Sequence, residues 1–550
     1  MSRSASIGLV TLNAKYVHLA LALRYLRNAA RKAGFAEVWL REYTIQMPAW
    51  KMAVELFALK PAVLGFSIYI WNREQSFELV ELVKKQRPET VIVIGGPEVS
   101  FEASSPSPYV DYVISGEGEN KWVELLESLA RGEEPGPERL RRWSSYGADL
   151  PVLDDLPYRE EGYTGIEHRL AYLETSRGCP YSCSFCLSAL DKQVRFFDDR
   201  AVKSQIEALI GHGARRIKFL DRTFNLRKQR VLELFGWLTR FEGVEFHFEV
   251  VGDLLDESVM SVLDSAPEGM FQFEVGIQTA DEAVLGRIQR SQKLDRLFGA
   301  LRRLRAANRV QLHADLIWGL PGESLEMIRS SFEQALALRP HELQLGFLKF
   351  LPGAPIRRLI EEEGYVFQDR PPYELISHRG LGAESLVELK RFEDVFDAYY
   401  NSGKFRFTLE RLIAERGGWE LFSRLAAQAR ERGLLLASHS LDDRFRYLAD
   451  CFAAEFTNPA LRDLLRLDYF FHRRAHGMPD FLRDVEWDSD PRTAARRLDG
   501  NSAQLSFRHR IAITNGDVRL TPSAEPVRYA FIYPPAAQGY FFRPEIRELP

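Results

Sequence analysis

The sequence predicts an α/β protein in three parts: a parallel-sheet domain, a second run of alternating strands and helices, and a mostly helical last third. Three observations carry this. From Ala5 to about Arg131, and again from Leu170 to Leu351, short apolar β-branched runs alternate with amphipathic segments, the pattern of parallel sheets covered by helices. Between them, Arg131 to Arg169 is dense in proline and acid, as in Asp154-Asp155-Leu156-Pro157, which marks an extended inter-domain segment. After Gln368 the alternation gives way to aromatics such as Phe392, Phe396, Tyr399 and Tyr400, whose helical spacing is that of a packed core. The expected boundaries are 1–132, a linker over 133–169, 170–365, and 366–550.

In the first part, strands are expected at Ile7–Leu12, Glu37–Tyr43, Ala62–Phe66, Thr90–Ile94 and Tyr112–Ser115. Helices are expected at His18–Arg31 and Gln75–Gln86. Sheets of this kind bind ligands beyond the carboxyl ends of their strands. Those ends carry Asn13, Tyr16 and His18, then Tyr69, then Gly95 and Gly96, then Glu117 and Gly118. Glycine there lets backbone approach a ligand closely. No G-x-G-x-x-G opens the first helix, so a dinucleotide site is not indicated.

In the second part six strands can be counted, at Leu170–Thr175, Arg216–Leu220, Glu245–Val250, Phe271–Val275, Gln311–Ile317 and Leu343–Phe350. Helices are expected at Ala201–Gly211, Lys228–Arg240 and Ser324–Ala337. Six βα units are too few for a closed eight-stranded barrel. After the first strand and the turn Ser176-Arg177-Gly178 comes Cys179-Pro180-Tyr181-Ser182-Cys183-Ser184-Phe185-Cys186, which holds three of the four cysteines. Clustered thiolates select zinc, copper(I) or iron–sulfur clusters. A zinc staple completed by Cys451 or a histidine fits the ligand types, but zinc sites space their cysteines differently.

This C-x3-C-x2-C loop, with Phe185 before the third cysteine, resembles that of radical S-adenosylmethionine (SAM) enzymes. The resemblance implies an open (βα)6 barrel in which Cys179, Cys183 and Cys186 hold a 4Fe–4S cluster whose open iron chelates SAM. It implies that Asp221 meets the SAM ammonium group. Glu274, Gly276 and Gln278 would line the ribose, and Asp315 and Gly319 would support the adenine. Glu323 stands one position later than in the simplest form of that last motif. The stretches Val93–Glu98 and Gly116–Glu119 resemble the Rossmann-like cobalamin-binding domain that precedes the barrel in one subclass. By that resemblance Asn13, Tyr16, His18, Tyr69, Gly95, Gly96, Glu117 and Gly118 would contact cobalamin. The D-x-H-x-x-G motif that supplies a lower cobalt ligand is missing, so cobalamin would bind base-off without histidine ligation.

Composition sets the remaining bounds. A net charge of −4 gives no global drive toward nucleic acid or membrane. Four cysteines do not make a disulfide framework, and a reducing cytoplasm is expected. Met1 to Val10 reads as neither a signal peptide nor a membrane span. The arginines Arg302, Arg303 and Arg305, after Arg287 and Arg290, read as a solvated helix face rather than a nucleic-acid patch. Cys451 reads as a buried inert thiol. Asn515-Gly516 signals a hairpin, and Tyr533 to Pro550 an extended tail. The expected function is radical SAM chemistry with cobalamin on a small-molecule substrate, fed by an electron donor such as flavodoxin or ferredoxin. C-methylation leads; radical cyclisation or rearrangement, and a non-catalytic cobalamin or metal carrier or sensor, are the rivals. A transfer-RNA methylthiotransferase would need a second three-cysteine set, which four cysteines cannot supply.

Overall fold

The computed structural model describes residues 1–101, 107–133, 165–433, 439–473, 477–483, 495–497, 502–514, 517–533 and 544–549. Most of the expected linker, the Asn515-Gly516 turn and most of the tail lie outside them.

The first domain is a five-stranded, wholly parallel sheet. Its strands are β1 (Ile7–Asn13), β2 (Val38–Thr44), β3 (Val63–Ser67), β4 (Val91–Gly95) and β5 (Tyr112–Ile114), in the order β2-β1-β3-β4-β5. Every residue of β1 and β3 is buried, because helices cover both faces and separate apolar clusters fill the two sides. The helices are α1 (Leu21–Lys32), α2 (Ala49–Leu59), α3 (Arg73–Gln86) and α4 (Glu119–Arg131). Gly132, at φ 73°, ends α4 in the left-handed conformation that glycine adopts without penalty.

The second sheet has six parallel strands: β6 (Ala171–Leu173), β9 (Arg216–Phe219), β10 (Glu245–Glu249), β11 (Phe271–Gln278), β12 (Gln311–Trp318) and β13 (Glu342–Phe347), in the order β13-β12-β11-β10-β9-β6. It is open, with β6 and β13 at its edges. Residues expected to turn after β6 instead form β7 (Ser176–Arg177), which pairs antiparallel with β8 (Arg195–Phe196). Period-2 alternation sorts the side chains. Phe219, Phe248, Phe271 and Phe273 are fully buried and pack together around Phe235 of the helix Lys228–Leu238. Lys218, His247, Glu249, Glu274 and Asp315 take the opposite face. Caps set helix starts as polar residues in the sequence suggest: Asp198, Asp256, Asp281 and Ser324 each accept from the first turn.

The last third is mostly helical, from Ala383–Phe396 to Pro459–His472. It shares one continuous apolar core with the barrel: Phe332 of the barrel helix Leu325–Ala337 meets Phe392, Phe396, Trp419 and Phe422 edge-on. Asn401 reaches edge strand β13, accepting from Leu343 N at 3.0 Å and donating to Leu343 O at 3.0 Å. The expected short hairpin is larger: β14 (Ala495–Arg497), β15 (Ser502–Thr514), β16 (Asp517–Ile532) and β17 (Glu545–Leu549) form an antiparallel sheet. The end of the expected extended tail is thus its edge strand. Leu505, Phe507, Tyr529 and Phe531, buried against the helices, supply the apolar face that holds it there.

The first domain sits over the barrel. His18 Nδ1 lies 2.8 Å from Tyr172 Oη, Tyr373 donates to Glu98, and the Phe101 ring covers Gly353 after β13. Gly353 has φ 84°, and a Cβ there would stand 2.3 Å from that ring. Gly353→Ala should therefore cost about 1–3 kcal/mol through strain and overpacking, read as a lower Tm. Adding Phe101→Ala should recover part of the loss, and no recovery would mean that the two surfaces are not in contact.

Candidate functional site

The cysteine segment is built to leave β6 at a fixed angle. Asp221, fully buried at the end of β9, accepts from Thr175 N (2.8 Å), Thr175 Oγ1 (2.6 Å) and Ser176 Oγ (2.6 Å). Burial pushes its carboxyl pKa up, and these three donors pull against that. Further on, Cys179 N donates to Asp191 O, Ser184 N to Ile288 O, and Ile356 N to Ser184 O. Gly178, at φ 92°, passes so close to Gln193 that a Cβ would lie 2.3 Å from its carbonyl oxygen. The β7–β8 ribbon closes the loop that carries the cysteines.

Cys179, Cys183 and Cys186 line one cavity of about 240 Å³ together with Phe185, Glu249, Glu274, Gly276, Gln278 and Asp315. Among the described residues no three Cys, His, Asp or Glu side chains converge on a point where one metal ion could be held. The thiols border a space. Three thiols spaced around one cavity suit a multi-iron cluster, whose thiolates bind different metal atoms. Burial raises the Cys183 thiol pKa, and the Arg290 guanidinium, 3.7 Å away, favours its thiolate. Cys451 is 1% exposed in the helix Leu441–Cys451, outside this cavity.

The cavity floor is charged and internally paired. Burial would raise the Glu274 carboxyl, but His247 Nε2 and Lys218 Nζ, each at 2.9 Å, hold it well below the usual carboxylate range. Burial opposes the charge on His313, yet Asp315 at 3.1 Å, with Glu342 and Glu274, lifts it to about 9. Lys218, His247 and His313 were missed in the sequence. The signal was the alternation in Arg216-Ile217-Lys218-Phe219 and Glu245-Phe246-His247-Phe248, which puts them on the face of Glu274. Arg290, read as a solvated face, turns inward and also donates to Gly276 O at 2.5 Å. Arg287 and Arg303 do face outward, paired with Glu363 and Asp264.

Two expected SAM contacts are not brought to the cavity lining. Asp221 has both oxygens committed to Thr175 and Ser176, so it anchors the cysteine segment and does not line the cavity. Gly319 also lies outside it; its φ of 83° and the Leu375 side chain, 2.0 Å from a would-be Cβ, are what require glycine.

A second cavity, of about 390 Å³, opens between the domains. Tyr69, Gly95, Gly96, Glu117 and Gly118 line it from the first domain; Glu174, Arg177, Asp191 and Arg222 close it from the barrel. A Cβ at Gly65 would press on Leu9 (2.9 Å) and Trp122 (3.2 Å), so glycine here is what lets Trp122 of α4 pack close against β3. Gly95, Gly96 and Gly118 leave the strand-end wall of the cavity largely free of side chains, which suits close approach of a large cofactor such as cobalamin; among the described residues no histidine lines it. Gly96, at φ 107°, is required by its own fold as well, since a Cβ would sit 2.5 Å from Ile68 O. Three expected contacts fall outside. Asn13 donates to His18 O (3.0 Å), His18 joins Tyr172, and Tyr16 is 70% exposed under the Arg169 guanidinium. Arg222 borders both cavities.

Glu323 holds the loop around Gly319. It is fully buried, accepts from Gly319 N (2.8 Å) and Leu320 N (3.2 Å), and burial lifts its carboxyl to about 8. The native state then keeps a proton that the unfolded chain releases near 4.5. Stability should fall as pH rises from about 4.5 to 8, by at most about 1.4 kcal/mol per unit from this group, and level off above. Glu323→Gln should remove that slope in Tm-against-pH curves; identical curves would rule it out.

Family models match in three places: a B12 binding domain over residues 7–126, the radical SAM superfamily over 173–335, and a protein of unknown function, DUF4080, over 361–510. The cobalamin-dependent radical SAM methyltransferase TokK of Streptomyces tokunonensis is 29% identical over 444 residues, 72% of this chain and 62% of that one. The hopanoid C-3 methylase of Methylococcus capsulatus is 28% identical over 56% of this chain and 63% of that one. The chain thus spans less than two thirds of the length of these curated relatives. In fold it is similar to the radical SAM methyltransferase TsrM of Kitasatospora setae (TM-score 0.57, 20% identity, 68% and 79% of the two chains). It is also similar to the cobalamin-dependent radical enzyme OxsB (TM-score 0.60, 14% identity, 85% and 84%). The matches thus follow the order of the two sheets, a region matched by the B12 binding domain standing ahead of one matched by the radical SAM superfamily.

Proposed function

We propose that this protein is a cobalamin-dependent radical SAM enzyme that methylates an unactivated carbon of a small molecule. The observation that carries the reading is that the two cavities adjoin at Arg222, which lines both, with Arg177 and Asp191, either side of the cysteine segment, on the interdomain side. A substrate held there would face both cofactor sites at once. When bound, a 4Fe–4S cluster with SAM and methylcobalamin would supply an electron, a hydrogen-abstracting 5′-deoxyadenosyl radical and a transferable methyl group.

The chain's own part is to hold, orient and shield. Cys179, Cys183 and Cys186 would ligate three irons and leave one open to SAM. Phe185, Glu274, Gly276, Gln278 and Asp315 would surround the nucleoside, with Glu274 kept ionised by Lys218 and His247 so that it accepts hydrogen bonds from hydroxyls. Tyr69, Gly95, Gly96, Glu117 and Gly118 would take the cobalamin. A carrier or sensor has no use for the paired carboxylates of the first cavity, which favours an enzyme. Low-potential electrons would come from a flavodoxin- or ferredoxin-like donor. No helix among the described residues is long and apolar enough to cross a membrane, and the free thiols suit a cytoplasmic setting.

Anaerobic reconstitution should give about four irons per chain, and the triple Cys179→Ala, Cys183→Ala, Cys186→Ala variant almost none. Cys451→Ala should keep its iron; iron loss there, or zinc in the native protein, would overturn the ligand assignment. Hydroxocobalamin should bind with a base-off, histidine-off spectrum. Protein that cleaves SAM yet takes up no cobalamin, or yields a cyclised rather than methylated product, would remove the methyltransferase reading.

A further inference from the structure

The ribbon that carries the cysteine loop is bolted to the first domain. Arg177 of β7 bonds Glu174 at 2.7 Å and Glu119, the first residue of α4, at 2.7 Å, with Glu117 at 3.6 Å. Directly across the ribbon, Arg195 of β8 grips Glu117 with both terminal nitrogens and reaches Asp191 at 3.0 Å. All these side chains are between 11% and 17% exposed. The contacts are also local to both sites. Glu117 and Glu119 line the interdomain cavity, while Asp191 accepts the backbone N–H of Cys179. One residue, Gly178, separates Arg177 from the first cysteine, and a Cβ there would lie 2.3 Å from the Gln193 carbonyl oxygen.

We propose that Arg177 and Arg195 are positioning residues: a two-arginine clasp that ties the Gly116–Glu119 loop to the cysteine loop, so that filling the interdomain cavity sets the geometry of the cysteine cavity. The clasp rests on the cobalamin reading only for the identity of that occupant. Charged pairs this well enclosed are costly to break on one side, and two bonded pairs acting across a two-stranded ribbon leave it little freedom to tilt. The coupling element is rigid and continuous from one cavity wall to the other.

Hydrogen exchange on the reconstituted full-length protein, with and without hydroxocobalamin, tests this. The readout is the stretch Ser182–Leu187, whose cysteines and Phe185 border the cysteine cavity and not the interdomain one. In wild type, hydroxocobalamin should slow exchange in Ser182–Leu187 as well as in Gly95–Glu119. In Arg195→Gln, which changes a residue that does not line the interdomain cavity, protection should remain in Gly95–Glu119 and vanish in Ser182–Leu187. Without cobalamin both loops should exchange faster than in wild type, by about tenfold. Arg195→Lys, which keeps the charge that meets Glu117, should retain the transmitted protection, which a variant that merely loosened the fold would not do. Transmission intact in Arg195→Gln overturns the clasp. If wild type binds no hydroxocobalamin, the cofactor reading falls instead. The clasp is then judged by the ligand-free exchange, where faster exchange in only one of the two loops refutes it.

Discussion

Everything at the cysteine site depends on one buried carboxylate. Asp221 spends both oxygens on Thr175 and Ser176 and so fixes where β6 ends and the cysteine segment begins. A carboxylate taken wholly out of water is expensive unless its acceptor sites are filled, and here three donors from two consecutive residues fill them. Arg230 adds a further bond to Thr175 Oγ1 at 2.8 Å. The strand-to-loop corner is thus set by satisfied polar groups, and the three thiols inherit their directions from it.

The charged floor works by the same logic. Lys218, His247, Glu274, His313 and Asp315 alternate with phenylalanines and aliphatics along adjacent strands, and register brings them side by side: Glu249 opposite Glu274, Glu274 opposite His313, Gly276 opposite Asp315. Each carboxylate that the cavity needs ionised has a cation next to it. The apolar half of the same strands supplies the packing, so one alternation serves both the core and the site.

The strands, the three-part plan and the cysteine cavity were legible because they rest on short-range signals: period-2 runs, capping residues and a spaced thiol motif. What was not legible depends on partners distant in sequence. Asp221 looked like a ligand group because its burial against Thr175 cannot be seen from position 221. Asn13 and His18 end a strand as ligand contacts do, yet they bond each other and the barrel. Arg290 falls among other arginines in the sequence, and only the fold turns it toward Gly276 and Cys183. The long β15–β16 hairpin was underread because Pro522 and a register shift near His509 interrupt its alternation.

The contact of Asn401 with Leu343 has a meaning for solution behaviour. An open sheet leaves the outer backbone groups of β13 available to any extended chain that drifts past. The carboxamide of Asn401 presents one acceptor and one donor, as a peptide unit would, and so occupies the rung that a foreign strand would take first. The edge strand is thereby capped at Leu343 without the addition of a further strand.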